Sequence, residues 1–413
     1  MGLGRSYGDA ALPAVGGVAL ECTRLDRLLA FHPEDGVLIA EAGVSLAEIE
    51  RVFLPRGWFP PVVPGTGHVT LGGAVAADVH GKNHHVDGSI GDHVSELTLA
   101  LADGRVVTCT PDVDGALFHA TIGGMGLTGV ILAVGLRLIR VPSAWVTSDV
   151  VRTRDLDETI RAFEDDAVHR YSVAWLDVLG RGRRLGRAVI FRGDFAEGRE
   201  VAKWPAHQRF AMPQGMRVTV PCAAPSAVFR PGLLRWFNAE YWAAHRSKRG
   251  ALVHAIPFFH PLDAPLRWNR AYGRRGFVQW QALFPEATAR EALIRAVSTY
   301  RRARGGSFLA VLKRFGREAA SRPLSFPRPG WTLTLDLPCD ASGSFRVVTK
   351  ELDAIVAEAG GRFYLAKDAL VDSQLFAQGY PRLEAFRQVR QRVDPGRRFR
   401  TAQSVRLLGD TDG

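Results

Sequence analysis

Where the glycines fall limits what this chain can fold into more than any other feature. There are 43 of them in 413 residues, and three dense clusters lie at or before residue 130. The first is Gly2-Leu3-Gly4-Arg5-Ser6-Tyr7-Gly8-Asp9. The second runs Pro64-Gly65-Thr66-Gly67-His68-Val69-Thr70-Leu71-Gly72-Gly73-Ala74 and continues through Ala77, Asp78 and Val79 into His80-Gly81-Lys82-Asn83-His84-His85. The third is Thr121-Ile122-Gly123-Gly124-Met125-Gly126-Leu127-Thr128-Gly129-Val130. Small residues let backbone approach a ligand closely, and successive amides in such loops form concavities that hold anions. The first cluster is not a GxGxxG dinucleotide fingerprint, because its third glycine falls one place late and no strand precedes it. Three clusters in one region point to a flat or extended ligand lying against backbone.

The elements around the clusters read as mixed α and β. Ser45-Leu46-Ala47-Glu48 has the form of a capping box, with Leu46, Ile49, Val52 and Phe53 on one helical face and Pro55 and Gly57 as a stop. Residues 97–102 and 105–110 flank Asp103-Gly104, which predicts a hairpin. Composition changes near Val141-Pro142-Ser143, where a domain boundary is expected. Further on, Glu351 to Ala359 and Leu383 to Val393 read as helices, and Arg362 to Leu365 as a strand. Gln279 and Gln281 alternate with Val278, Trp280 and Ala282, so both amides face one side of a strand, a pattern suited to a polyol or to solvent.

Composition closes off several function classes. Cys22, Cys109, Cys222 and Cys339 are scattered and form no CxxC pair, so neither a zinc knuckle nor a disulfide framework is expected. His80 and His84 have HxxxH spacing, but Gly81 and Asn83 argue against the helix that a metal site there needs, and no metal is expected. No apolar run reaches the ~20 residues of a membrane span, and the first residues carry no leader-like apolar stretch. This leaves a cytoplasmic or peripheral membrane placement, with the cell envelope also open. The net charge of +11 suits anionic partners. Aromatic residues do not interleave with the basic ones, so nucleic acid is not among those expected.

Several segments then form an ordered set: GLGRSYGD from Gly2, PGT from Pro64, VTLGGAVAADVHGKNHH from Val69, GLTG from Gly126, YSVAWLD from Tyr171, FFHPLD from Phe258, WNRAYG from Trp268, LSFPRPGW from Leu324 and YLAKD from Tyr364. The chain resembles FAD-binding proteins of the vanillyl-alcohol-oxidase type. Within that group it is similar to the flavoprotein oxidases of the decaprenylphosphoryl-β-D-ribose 2′-epimerases. The resemblance implies an α+β fold: a two-part FAD domain over 1–144 and 362–413, and between them, over 145–361, an α+β substrate domain on an antiparallel sheet. It also implies a further segment of the FAD domain upstream of Met1.

The same resemblance implies which residues meet the cofactor: Gly2, Leu3, Gly4, Arg5, Ser6, Tyr7, Gly8, Asp9 and Ala10; then Gly65, Thr66, Thr70, Leu71, Gly72 and Gly73; then Ala77, Asp78, Val79, His80, Val130 and Tyr364. Tyr7 stands where many wider relatives carry a histidine bonded to the flavin, which implies non-covalent FAD. Lys367, His80 and Tyr7 are the candidate catalytic groups. Lys82, Tyr272, Gln279, Gln281, Lys313 and Thr334 are candidates for contacts to the sugar and phosphate. Thr334 replaces a flavin-facing cysteine of the mycobacterial members, and Thr332 replaces a neighbouring asparagine, so covalent capture at that position is not expected. The implied reaction oxidises the 2′-hydroxyl of a polyprenyl-phosphoryl ribofuranose to a ketone. A short-chain NAD(P)-dependent keto-reductase would complete the epimerisation, which supplies the arabinose donor for cell-wall arabinan, and the lipid implies peripheral membrane contact. An alditol or aldonolactone oxidase is the second reading, and a catalytically inactive flavin-fold protein the third.

Overall fold

A computed structural model of the chain describes residues 1–166, 168–202, 204–213, 218–225, 231–303 and 309–410. Two antiparallel sheets organise it. The first has five strands in the order Leu28–His32, Val37–Glu41, Val130–Arg137, Val94–Ala100 and Val106–Cys109. The expected hairpin joins the last two, with Gly104 at φ +91° in its turn, where a side chain would be strained. Leu38, Leu97, Val134 and Leu136 are fully buried here against Ile49, Phe53 and Leu71.

The helix Leu46–Phe53 starts where its cap places it: Ser45 accepts from the Glu48 amide at 3.1 Å. The reciprocal half of the box is absent. The Glu48 carboxylate instead takes two hydrogen bonds from Arg51, one turn on, because a charged partner outcompetes a backbone amide.

The second sheet has eight strands in the order Lys248–His254, Trp145–Arg152, Ala188–Phe195, Tyr171–Leu176, Ala310–Phe315, Gly330–Pro338, Phe277–Pro285 and Arg362–Phe363. It begins just after the expected break at 141–143. Helices Glu286–Arg302 and Ser344–Glu358 pack on one face through Leu293, Val297, Leu352 and Val356 against Leu333, Leu335 and Ala282. Because side chains alternate along a strand, the opposite face carries Gln279, Gln281, Thr332, Thr334 and Asp336. Those residues are buried as well, so this is not a solvated face.

The C-terminal elements sharpen the expectations. The helix over 351–359 begins earlier, at Ser344, and the strand over 362–365 is only Arg362–Phe363 before a tight turn at Leu365–Lys367. Leu383–Val393 is a helix as its pattern predicts. Arg362–Phe363 closes the eight-stranded sheet, and Phe376, Leu383, Phe386 and Leu407 bury against that sheet's core.

Candidate functional site

The three glycine clusters converge. Thr70 caps the helix Leu71–Ala76 by accepting from Gly73, and the Leu71 and Gly72 amides donate to the Val44 and Ala42 carbonyls just after the strand Val37–Glu41. A Cβ on Gly72 would lie 2.7 Å from that of Ala42, and one on Gly2 would lie 2.1 Å from Thr70 Oγ1. Side chains at these positions would close the space the loops enclose. The Tyr7 amide donates to Ala366 at 2.9 Å, and Asp9 is held by Arg406, which also grips Asp368 at 2.8 Å. The first loop is therefore pinned by the last fifty residues. From the middle of the chain, Asp263 accepts from the Thr66 hydroxyl at 2.5 Å and the Gly67 amide at 2.8 Å.

Between loops and sheet lies a cavity of about 480 Å³, a normal size for a small-molecule site. Glycine and alanine backbone from all three clusters forms much of its wall. Of the residues expected to meet the cofactor, Gly2, Leu3, Gly4, Arg5, Ser6, Tyr7, Ala10, Gly65, Thr66, Thr70, Gly72, Gly73, Ala77, Val79, Val130 and Tyr364 line it. Lys82, Gln279, Lys313, Thr334 and Lys367 line it too.

Other expected residues do not reach the wall. Leu71 is fully buried in the first core. Asp78, at φ +40°, is fully buried and occupied by the Gly91 amide, Ser325 and Arg322. Gly8 is pressed against the Asp368 carbonyl, and Asp9 is spent on Arg406. His80 stands behind the wall, ringed by Phe315, Phe326 and Tyr364, with Gln281 donating to its Nε2 at 3.1 Å. Tyr272 is buried and donates to Asp336. His80, Gln281 and Tyr272 therefore support groups at the wall rather than forming it. His84 and His85 turn to other partners, the Gly316 amide and the His169 carbonyl.

The chemistry concentrates at the sheet end of the cavity. Lys367 sits with its Nζ 5.6 Å from the centroid of the Tyr7 ring. Burial, then the like charge of Lys313, pushes its ammonium down to about 7, against the pull of Asp336. Lys82 donates to the Phe259 carbonyl at 2.9 Å and is likewise held near about 7 by burial and Lys313, while burial brings Lys313 to about 8. Among the described residues, neither Lys313 nor Lys367 has a hydrogen-bond or ion-pair partner. Burial raises the Tyr7 phenol above its usual range, and burial with the nearby lysines holds His80 well below its own, so it is a neutral imidazole.

Asp336 was not among the expected residues. Its carboxylate, fully buried, takes hydrogen bonds from Tyr272 at 2.5 Å and Gln279 at 2.6 Å, and burial raises it to about 6. A signal was present in the sequence: Thr332, Thr334 and Asp336 alternate strictly with Leu333, Leu335 and Leu337, a polar stripe on a strand.

A cavity walled by glycine and alanine backbone from three loops on one side and by Lys82, Lys313 and Lys367 on the other fits a dinucleotide with a redox-active ring. With the matches to known families, this makes the chain an FAD-binding oxidoreductase. Residues 1–110 match the family model of an FAD-binding domain, and residues 335–407 match that of D-arabinono-1,4-lactone oxidase. The chain is 38% identical to decaprenylphosphoryl-beta-D-ribose oxidase of Mycolicibacterium smegmatis over 98% of its own length and 88% of that protein's. It is 35% identical to a protein of Streptomyces coelicolor described as lying in the mprA 5′ region, over 89% of this chain and all of that one. A D-arabinono-1,4-lactone oxidase of Yarrowia lipolytica shares 22% identity over 37% of this chain and 29% of its own. The chain belongs to the decaprenylphosphoryl-β-D-ribose oxidase family, and FAD is its cofactor.

Proposed function

We propose that the chain oxidises the 2′-hydroxyl of decaprenylphosphoryl-β-D-ribofuranose to the 2′-keto sugar. The observation that carries this reading is the pair of lysines, Lys313 and Lys367, set with Gln279 and Thr334 in the wall of the cavity that the glycine loops enclose. The loops at Gly2 to Tyr7 and Gly65 to Gly73 would hold FAD against their side-chain-free backbone, without a covalent bond. When bound, FAD supplies the acceptor for the hydride leaving the sugar carbon.

The side chains do the remaining work. Lys367, near neutrality in its proton affinity, accepts the hydroxyl proton at Nζ and then carries the charge that stabilises negative charge beside it. Tyr7, beside Lys367, keeps its proton and can donate a hydrogen bond to the same substrate. Gln279 and Thr334 orient the ribose, and Lys313 and Lys82 attract the phosphodiester. His80 holds Gln281 and packs the wall, so it takes no proton from substrate. Residues 1–144 with the C-terminal segment form the FAD-holding part, and the eight-stranded sheet forms the sugar-holding part. A keto-reductase then consumes the product, completing an epimerisation to the arabinose donor for cell-wall arabinan, at or near a membrane.

The test is anaerobic mixing of the FAD-loaded protein with farnesylphosphoryl-β-D-ribose. Bleaching of the flavin is expected, and its loss in Lys367→Ala with flavin content retained. Full reduction in that variant would remove Lys367 from the role. The match of residues 335–407 to the aldonolactone oxidase model favours one alternative substrate class. Bleaching by an aldonolactone or alditol, and not by the phosphoryl ribose, would establish that instead. Bleaching by none of them would leave a catalytically inactive flavin-fold protein.

A further inference from the structure

The helix Pro231–Ala244 reaches the cavity face of the eight-stranded sheet through Tyr241. Tyr241 stacks on Trp175 with ring centroids 4.5 Å apart. Trp175 is paired in register with Val311, and Val311 and Val173 both wall the cavity. The inner side of the helix is well fixed. Leu234 is fully buried, Asn238 donates to Asp177 at 2.9 Å, and the Trp242 indole donates to the Thr153 carbonyl at 2.9 Å.

Its outer side is different. Leu233 and Trp236, one turn apart, are 44% and 60% exposed, an unusual placement for a tryptophan on a well-anchored helix. Arg235 is exposed beside them, and Arg246, Lys248 and Arg249 are exposed just beyond the helix, at the start of the sheet's edge strand. Residues 231–249 contain four Lys or Arg residues against a single acid, Glu240. Among the described residues, none of those four cations is in an ion pair. Charge on an edge strand alone would only discourage strand pairing. An exposed Trp and Leu near one end of a helix, with Arg235 next to them and three further cations past the other end, is the composition of a surface that lies along a bilayer interface, with the indole at headgroup depth and cations on anionic lipid. Two large apolar side chains are also far too few for the ~800 Å² per partner of a stable protein interface.

We propose that Leu233 and Trp236, with Arg235, Arg246, Lys248 and Arg249, dock the protein on an anionic lipid bilayer. The inference rests on the proposed lipid-linked substrate for its purpose: a prenyl tail can stay in the bilayer while its phosphoryl sugar enters the cavity on the same side of the sheet. The docking itself is independent of turnover.

The test uses the FAD-loaded protein without substrate and vesicles of phosphatidylcholine with or without phosphatidylglycerol. Co-sedimentation should need phosphatidylglycerol and weaken with added salt. Leu233→Ser/Trp236→Ser should lower the partition coefficient roughly tenfold or more. Arg246→Glu/Arg249→Glu should lower it at least about 25-fold, taking about fivefold per cation lost, and the two added carboxylates should lower it further. Lipids carrying a quencher in the headgroup region should quench wild-type tryptophan fluorescence more than that of Trp236→Phe. Thermal midpoint and flavin content should stay at wild-type values, and Trp236→Phe alone should retain most binding.

If wild type ignores anionic vesicles, or both double variants bind as wild type does, the proposal is overturned. Self-association in sedimentation velocity that Trp236→Ser abolishes, without vesicle binding, would assign the patch to a second copy of the chain. Vesicle binding by a protein that leaves the phosphoryl ribose unoxidised would sink the proposed function and leave this surface standing.

Discussion

Gly8→Ala puts the junction between the first loop and the C-terminal segment under direct strain. A Cβ at residue 8 would lie 1.6 Å from the Asp368 carbonyl oxygen and 2.5 Å from its carbon. Ordinary contact begins near 3.4 Å, so the two segments must part by about 1.8 Å, the difference between 3.4 and 1.6. The obstacle is backbone and cannot rotate away. The fold should therefore lose about 3 kcal/mol, the upper end for overpacking. The parting also separates Tyr7 from Lys367, which the same junction holds together through the Tyr7 amide and the Ala366 carbonyl. A displacement above 1 Å at a reacting group costs about 100-fold in rate. Stopped-flow flavin reduction, thermal melting and flavin content measured together are the assay. Gly4→Ala is the control: it has φ +61° but nothing within 4 Å, so it should lose only about 1 kcal/mol of backbone strain. A Gly8→Ala protein with wild-type melting and wild-type reduction would refute the reasoning.

Lys313→Met should stabilise the fold by roughly 1–3 kcal/mol, because a half-buried, desolvated ammonium is replaced by an apolar side chain. Lys313 has a folded proton affinity below its unfolded one, so its penalty is full below about 8 and fades as pH rises toward 10.5; melts at pH 7 and pH 10 should converge for the two proteins. The same substitution removes a like charge from Lys367, so the pH at which flavin reduction switches on should rise above its wild-type position near 7; an unmoved profile would uncouple the two lysines. Acid precipitation should leave the yellow colour in the supernatant, and colour in the pellet would mean a covalent flavin. Asp78→Ala should destabilise by about 3–5 kcal/mol, since it leaves Arg322 buried with its remaining partner Asp92 only; a melting point within one or two degrees of wild type would contradict this.

What was legible in the sequence followed from local rules. The helix cap at Ser45, the Asp-Gly hairpin and the helix Leu383–Val393 depend on neighbours in sequence, and they form where the patterns place them. The glycine clusters marked the cavity because missing side chains leave a trace in composition. The displaced expectations have non-local causes. His80 lies in a polar segment, but its depth is set by Phe315, Phe326 and Tyr364, more than 200 residues away. Asp336 sits in an ordinary-looking strand, and only the pairing with Phe277–Pro285 brings it to Gln279. Glu48 followed its charge to Arg51 rather than the capping box.

The grip of Arg406 on Asp9 and Asp368 spans nearly the whole chain and bears on the order of synthesis. Domains fold as they leave the ribosome, N-terminal parts first. Here the first glycine loop has a fixed partner 397 residues further along the chain. The flavin pocket therefore cannot be completed until Arg406 has been made, and cofactor loading waits on that residue. A chain halted before residue 400 would carry the glycine loops intact and still lack the clasp that shapes them.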